Sequence, residues 1–237
     1  MLAVLLIICA AALGALAGWF APGYVAKLVK AELPEEYEQS GLRTKKTRIC
    51  SCVLCGAACF LSALVMGAPS AWLGLLCAIA CIALLCMAFS DFFHCIIFDR
   101  FQLAFGLLAV ARLVCSLLGI FGESDFWISS VLGFCFGLLL YGLIAVAGSR
   151  ILGKDAMGWG DVKLAACSGL FLGWKGFLLS TLIAAIAGSI ILLVLAKAKN
   201  HEKHREYPFA PFMVAGIIIA MFAGDAIVNA YLSLFAL

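Results

Sequence analysis

Apolar residues in this chain come in long runs, at about 2–22, 51–67, 71–90, 101–121, 127–148, 176–196 and 211–235, with a shorter run at 162–173. Roughly 20 such residues make a helix that crosses the hydrocarbon of a bilayer, so the pattern predicts an all-α integral membrane protein. The stretch from Val162 to Ala196 is too long for one ordinary span and slightly short for two. Gly173-Trp174-Lys175-Gly176 reads as a turn inside it, which makes two short helices and brings the bundle to about eight.

The polar segments between the runs set the orientation, because Lys and Arg collect on the cytoplasmic side. With the N-terminus outside, the inner segments hold fourteen of the sixteen basic residues, all but Lys175 and Arg112. The chain then divides into a first transmembrane helix at 1–26, a short basic cytoplasmic loop at 27–50 and a polytopic membrane core at 51–237. Ala15-Leu16-Ala17-Gly18 resembles a signal cleavage site. No base precedes the first apolar run and six follow it, however, so the span is read as uncleaved.

A composition of 66% hydrophobic and 12% charged residues excludes a soluble domain. The net charge of +3 fits inner loops facing anionic lipid, so the expected partner is the lipid bilayer and no nucleic acid is expected. Most of the twelve cysteines lie in the runs, where a thiol behaves as a small apolar group. Cys50, Cys52, Cys55 and Cys59 straddle one membrane boundary, with the last three on one helix face, a poor arrangement for a tetrahedral metal site. No metal and no other cofactor is expected.

Chemistry is sought among the thirteen acids. Glu32, Glu35, Glu36, Glu38, Glu123, Asp125, Glu202 and Glu206 lie in polar segments and read as solvated surface. Asp91 ends the apolar run 71–90 and meets no Lys or Arg before Arg100, while Asp161 closes Gly158-Trp159-Gly160-Asp161 and directly precedes Val162-Lys163-Leu164. An ionisable group at such a place is costly without a partner or a function. Two predicted spans separate the pair, so both return to one membrane face. Two carboxylates sharing a site do not readily both ionise, which supplies an acid and a base for attack of water on a peptide carbonyl. Glycine allows unusual backbone angles and close approach of a second chain, and a helix N-terminus favours the ionised form of Asp161.

The run from Gly158 to Leu164, the later Pro208-Phe209-Ala210-Pro211-Phe212, and Asp91 at an upstream helix end together resemble the bacterial type IV prepilin peptidases, which are Gly-x-Gly-Asp aspartic proteases. The resemblance covers about 71–235. It implies an aspartic endopeptidase of the inner membrane, cleaving the leader of prepilin or pseudopilin substrates at the cytoplasmic face. Asp91 and Asp161 would be catalytic, with Gly158, Trp159, Gly160, Lys163, Pro208, Phe209 and Pro211 supporting the motif and the substrate site. Two features depart from the family. Phe98 stands where a proline is expected after the first Asp, which makes Asp99 a rival for Asp91. The segment Lys27–Ile49 replaces a tetracysteine domain linked to N-methylation and contains no cysteine, so methylation is doubted.

His94 reads as an interfacial polar residue with a possible secondary role beside Asp91. Arg112 and Asp225 lie about 17 and 21 Å from the inner ends of their spans, at ~1.5 Å per residue, and read as an ion pair. The alternative class is a transporter or channel using intramembrane acids. Such proteins place binding residues at the midplane between repeats, whereas here the acids cluster at one face and no repeat is visible.

Overall fold

The computed structural model describes residues 2–32, 45–65, 71–120, 125–152, 157–198 and 208–235. Glu35, Glu36, Glu38, Glu123, Glu202 and Glu206 lie outside them. The described chain forms α1 (Leu2–Glu32), α2 (Lys45–Val65), α3 (Ala71–His94), α4 (Asp99–Leu117), α5 (Phe126–Leu152), α6 (Trp159–Ala198) and α7 (Ala210–Phe235). All seven are long and apolar enough to cross a membrane. The protein is a multi-pass, all-α membrane protein. Its contacts divide it into two compact units, 1–108 and 109–237, the division falling inside α4.

In the first unit α1 packs on α2 and α3, and α2 on α3. Gly14 and Gly18 let α2 approach α1 closely. A Cβ on Gly14 would meet Cys59 Sγ at 2.5 Å, and one on Gly18 would overlap the Ser51 carbonyl oxygen. Small residues four apart permit this contact, and the facing positions run in opposite directions, so the two helices are antiparallel. Cys55 and Cys59 are buried here as small apolar side chains. Among the described residues no group of three or more His, Cys, Asp or Glu could hold a metal ion.

α1 runs through Pro22 to Glu32, beyond the expected end at 26, and α2 begins at Lys45 within the expected loop 27–50. Pro22 removes one backbone hydrogen bond. Immediately after it, Val25, Ala26 and Val29 are buried with Cys86 and Phe98, and this packing holds the helix together past the proline.

In the second unit α5 packs on α6, and α6 on α7. Among the described side chains of α5 a narrow stripe is buried, consisting of Ser130, Gly133, Gly137, Tyr141 and Ala145. It meets α6 backbone to backbone: a Cβ on Gly133 would overlap the Gly169 carbonyl oxygen, and one on Gly137 would lie 2.5 Å from the Ala165 carbonyl oxygen. Ser129 meets Gly173 in the same register. Positions fall by four on α5 as they rise by four on α6, an antiparallel seam.

The expected turn within 162–196 is present. Gly173 has φ 74° and ψ 171° and breaks α6 into arms at 159–172 and 174–198. Both sides of the break leave backbone groups without helical partners. Arg112 Nη1 donates to the Phe171 carbonyl at 2.7 Å, and the Trp174 N–H donates to Ser129 Oγ at 3.3 Å. The arms fold back on each other. Asp161 and Thr181 would stand about 30 Å apart along a straight helix, yet the Tyr141 hydroxyl is hydrogen-bonded to Thr181 and lies within electrostatic reach of Asp161. With the arms counted separately, the described helices number eight, against about eight expected.

Arg112 is held at the helix break by groups other than a carboxylate as well. Its guanidinium lies 4.2 Å from the Phe126 ring centroid and 5.1 Å from that of Phe171, and Asp225 is exposed. The helix break supplies it with a carbonyl acceptor, and Phe126 and Phe171 supply two ring faces.

Candidate active site

Asp91 lies in the last turn of α3 and is only 6% exposed. Beyond it the chain reverses within a few residues into α4, and three contacts fix that turn. The Cys95 N–H donates to the Asp91 carbonyl at 2.8 Å, which holds Cys95 in the left-handed region at φ 53°. The Ser90 hydroxyl donates to the Ile96 carbonyl. Phe98 enters the core formed with α1 and its carbonyl accepts from the Phe101 and Gln102 N–H groups, which starts α4.

Phe98 thereby accounts for the missing proline. A proline fixes φ through its ring, whereas here a side chain 3% exposed anchors the turn by packing. Asp99 opens α4 and is exposed, and His94 is half-buried at the end of α3. Burial within a stitched turn separates Asp91 from both neighbours.

Asp161 occupies the first turn of α6, and its N–H donates to the Gly158 carbonyl at 3.1 Å. Trp159 is 63% exposed, and Lys163 is exposed between the buried Val162 and Leu164. The alternation seats α6 on its neighbours and leaves the motif's outer side open. The unusual backbone angles expected of Gly158 and Gly160 are not found, since among the described residues only Gly119 and Gly173 are glycines with positive φ. The glycine leaves space instead. A Cβ on Gly158 would lie 4.0 Å from Asp161 Oδ2, so at this position the glycine adds no side chain beside the half-buried carboxylate.

Pro208, Phe209 and Pro211 stand at the start of α7. The Phe209 carbonyl accepts from the N–H groups of Phe212 and Met213, and Pro211 is tolerated in the first helical turn. The rings of Phe209 and Phe212 pack over Gly188 of the second arm, where a Cβ would stand 3.3 Å from the Phe209 ring. The motif ties α7 to the α6 hairpin.

Ser90 and Tyr141 were not singled out from the sequence. A signal for Tyr141 exists in the four-residue rhythm of Gly133, Gly137 and Tyr141, which matches that of Asp161, Ala165 and Gly169. It becomes legible only once the two segments are known to be neighbours.

Residues 78–193 match the model of the type IV leader peptidase family. Curated proteins named prepilin leader peptidase/N-methyltransferase are similar to this chain. That of Bacillus subtilis is 33% identical over 156 residues, covering 64% of this chain and 56% of the relative. That of Legionella pneumophila is 42% identical over 79 residues, covering 33% and 28%, and that of Aeromonas salmonicida 34% over 104 residues, covering 44% and 36%. The chain thus spans between about a quarter and just over half the length of these relatives. No solved structure matches. The matched segment 78–193 carries both Asp91 and the Gly-x-Gly-Asp run, so the similarity to type IV leader peptidases falls on the residues of the candidate site.

Proposed function

We propose that the protein is an aspartic endopeptidase that removes the leader of prepilins or pilin-like proteins, with Asp91 and Asp161 as its catalytic pair. The observation that carries this reading is that the family segment holds two carboxylates at ends of spanning helices. One is buried in a stitched turn, and the other is half-buried beside a glycine that adds no side chain next to it. Two spans separate them in the chain, which fits a common membrane face, and the basic residues of the inner segments assign that face to the cytoplasm. In a bacterium this is the inner membrane.

In the reaction one carboxylate is ionised and takes a proton from water as the water oxygen attacks the scissile carbonyl carbon. The protonated partner donates to the carbonyl oxygen. Collapse of the tetrahedral intermediate breaks the C–N bond, and the proton taken from water passes to the leaving amine. The open side of the glycine motif suits entry of an extended chain, namely the short basic leader that ends at the substrate's hydrophobic helix. The activity proposed is cleavage, and methylation is doubted, since Lys27–Ile49 offers no cysteine where the family's methylation-linked domain stands.

The test co-expresses the chain with a candidate prepilin and compares Asp91→Asn, Asp161→Asn and Asp99→Asn. The first two abolish leader cleavage and the third retains it. Cleavage that survives Asp161→Asn sinks the mechanism, and loss only in Asp99→Asn moves the first catalytic role down the turn. Ion flux in vesicles that none of the three changes would favour a transporter.

A further inference from the structure

The seam between α5 and the first arm of α6 has a consequence for Asp161. Ser129 faces Gly173, Gly133 faces Gly169 and Gly137 faces Ala165. One further step of four residues pairs Tyr141 with Asp161. At that position the stripe changes from residues with little or no side chain to a phenol. Tyr141 is 3% exposed, with its ring edge-on to Phe177 at 6.3 Å. Its hydroxyl is hydrogen-bonded to Thr181 and lies within electrostatic reach of Asp161.

A phenol is both donor and acceptor. If Thr181 donates to the Tyr141 oxygen, the phenol proton is left to point toward the carboxylate that the register places opposite. Phe177 and Thr181, both on the second arm, hold the ring and the oxygen. The α6 hairpin therefore presents Asp161 on one arm and the fixing group for Tyr141 on the other.

We infer that Tyr141 is a positioning residue for Asp161, its hydroxyl held by Thr181 and orienting the carboxylate across the α5–α6 seam. The inference rests on the reading of Asp161 as catalytic. Tyr141 touches no reacting atom. It acts by narrowing the orientations of the Asp161 carboxylate, beside which Gly158 contributes no side chain, and displacement of a reacting group by a fraction of its range is expensive in rate.

The experiment uses the purified full chain in proteoliposomes with a cleavable prepilin, measuring kcat and KM for wild type, Tyr141→Phe, Thr181→Val, the double variant and Asp161→Asn. Tyr141→Phe keeps the ring on Phe177 and lowers kcat about tenfold, the scale of one hydrogen bond to a charged group, with KM unchanged. Thr181→Val lowers kcat less. The double variant is no slower than Tyr141→Phe, because Thr181 acts through the phenol; independent structural roles would multiply instead. Full kcat in Tyr141→Phe, a change confined to KM, or multiplicative losses each overturn the inference. If Tyr141→Phe fails to fold, Thr181→Val decides alone, and an unchanged kcat there also overturns it. Activity retained by Asp161→Asn is a separate result, one that removes the catalytic assignment itself.

Discussion

Gly133 on α5 and Gly169 on α6 meet backbone to backbone, each so close to the other's carbonyl that a Cβ on either would overlap it. The contact sets the register that brings Tyr141 level with Asp161. A valine at Gly133 must push the helices apart, and overpacking of this kind costs roughly 1–3 kcal/mol. Gly142, nine residues later on the same helix, has nothing within 4 Å of the position a Cβ would take. Gly133→Val is therefore expected to lower the thermal unfolding midpoint in detergent and reduce leader cleavage. Gly142→Ala leaves cleavage unchanged and is neutral or stabilising by up to ~1 kcal/mol, the helix-propensity difference.

Arg112 supplies a charged donor to the Phe171 carbonyl, two residues before the break at Gly173. Arg112→Met keeps most of the volume but leaves the Phe171 carbonyl without that donor, at an expected loss of about 2 kcal/mol. Asp225 is exposed, so Asp225→Ala alone changes unfolding by less than about 0.5 kcal/mol. The double variant matches Arg112→Met. Coupling between the two positions in this cycle would restore the ion pair and remove the role assigned to the helix break.

Membrane class was legible because it depends on composition and run length, and the α6 hairpin was legible because Gly173-Trp174-Lys175-Gly176 interrupts an apolar run that no single span can use. Asp91 and Asp161 stood out because acids beside apolar runs are costly. Contacts across helices were not legible. Arg112 was matched to Asp225 on depth alone, which carries no information about the rotation of each helix. The Phe171 carbonyl, which accepts from it, has no signature in sequence. The passage of α1 through Pro22 depends on burial of Val25 and Val29 against α3 and Phe98, residues distant in the chain. Phe98 looked like a defect for a related reason, since the core that receives it is contributed largely by α1.

Phe98 is expected to be the anchor of the Asp91 turn. Phe98→Ala opens a cavity among Val25, Leu28, Val29 and Cys86, at an expected cost of about 3 kcal/mol or more. Phe92, one residue after Asp91, is 63% exposed and serves as the control. Phe92→Ala leaves the unfolding midpoint nearly unchanged. Leader cleavage falls in Phe98→Ala more than in Phe92→Ala, and equal effects would show that the turn does not depend on this packing.

The second hold on that turn is conformational. Cys95 sits at φ 53°, in the left-handed region that L residues with a Cβ enter at a penalty, while its N–H donates to the Asp91 carbonyl. Glycine enters this region freely, and a β-branched residue does so worst. Cys95→Gly is therefore expected to fold as well as wild type and to keep its cleavage rate. Cys95→Val loses about 1–2 kcal/mol, the strain of one such residue, and its cleavage rate falls because the turn holding Asp91 is displaced. Circular dichroism melts and initial cleavage rates separate the two variants. A wild-type rate in Cys95→Val, or a dead but folded Cys95→Gly, would show that the backbone conformation at this position does not govern Asp91.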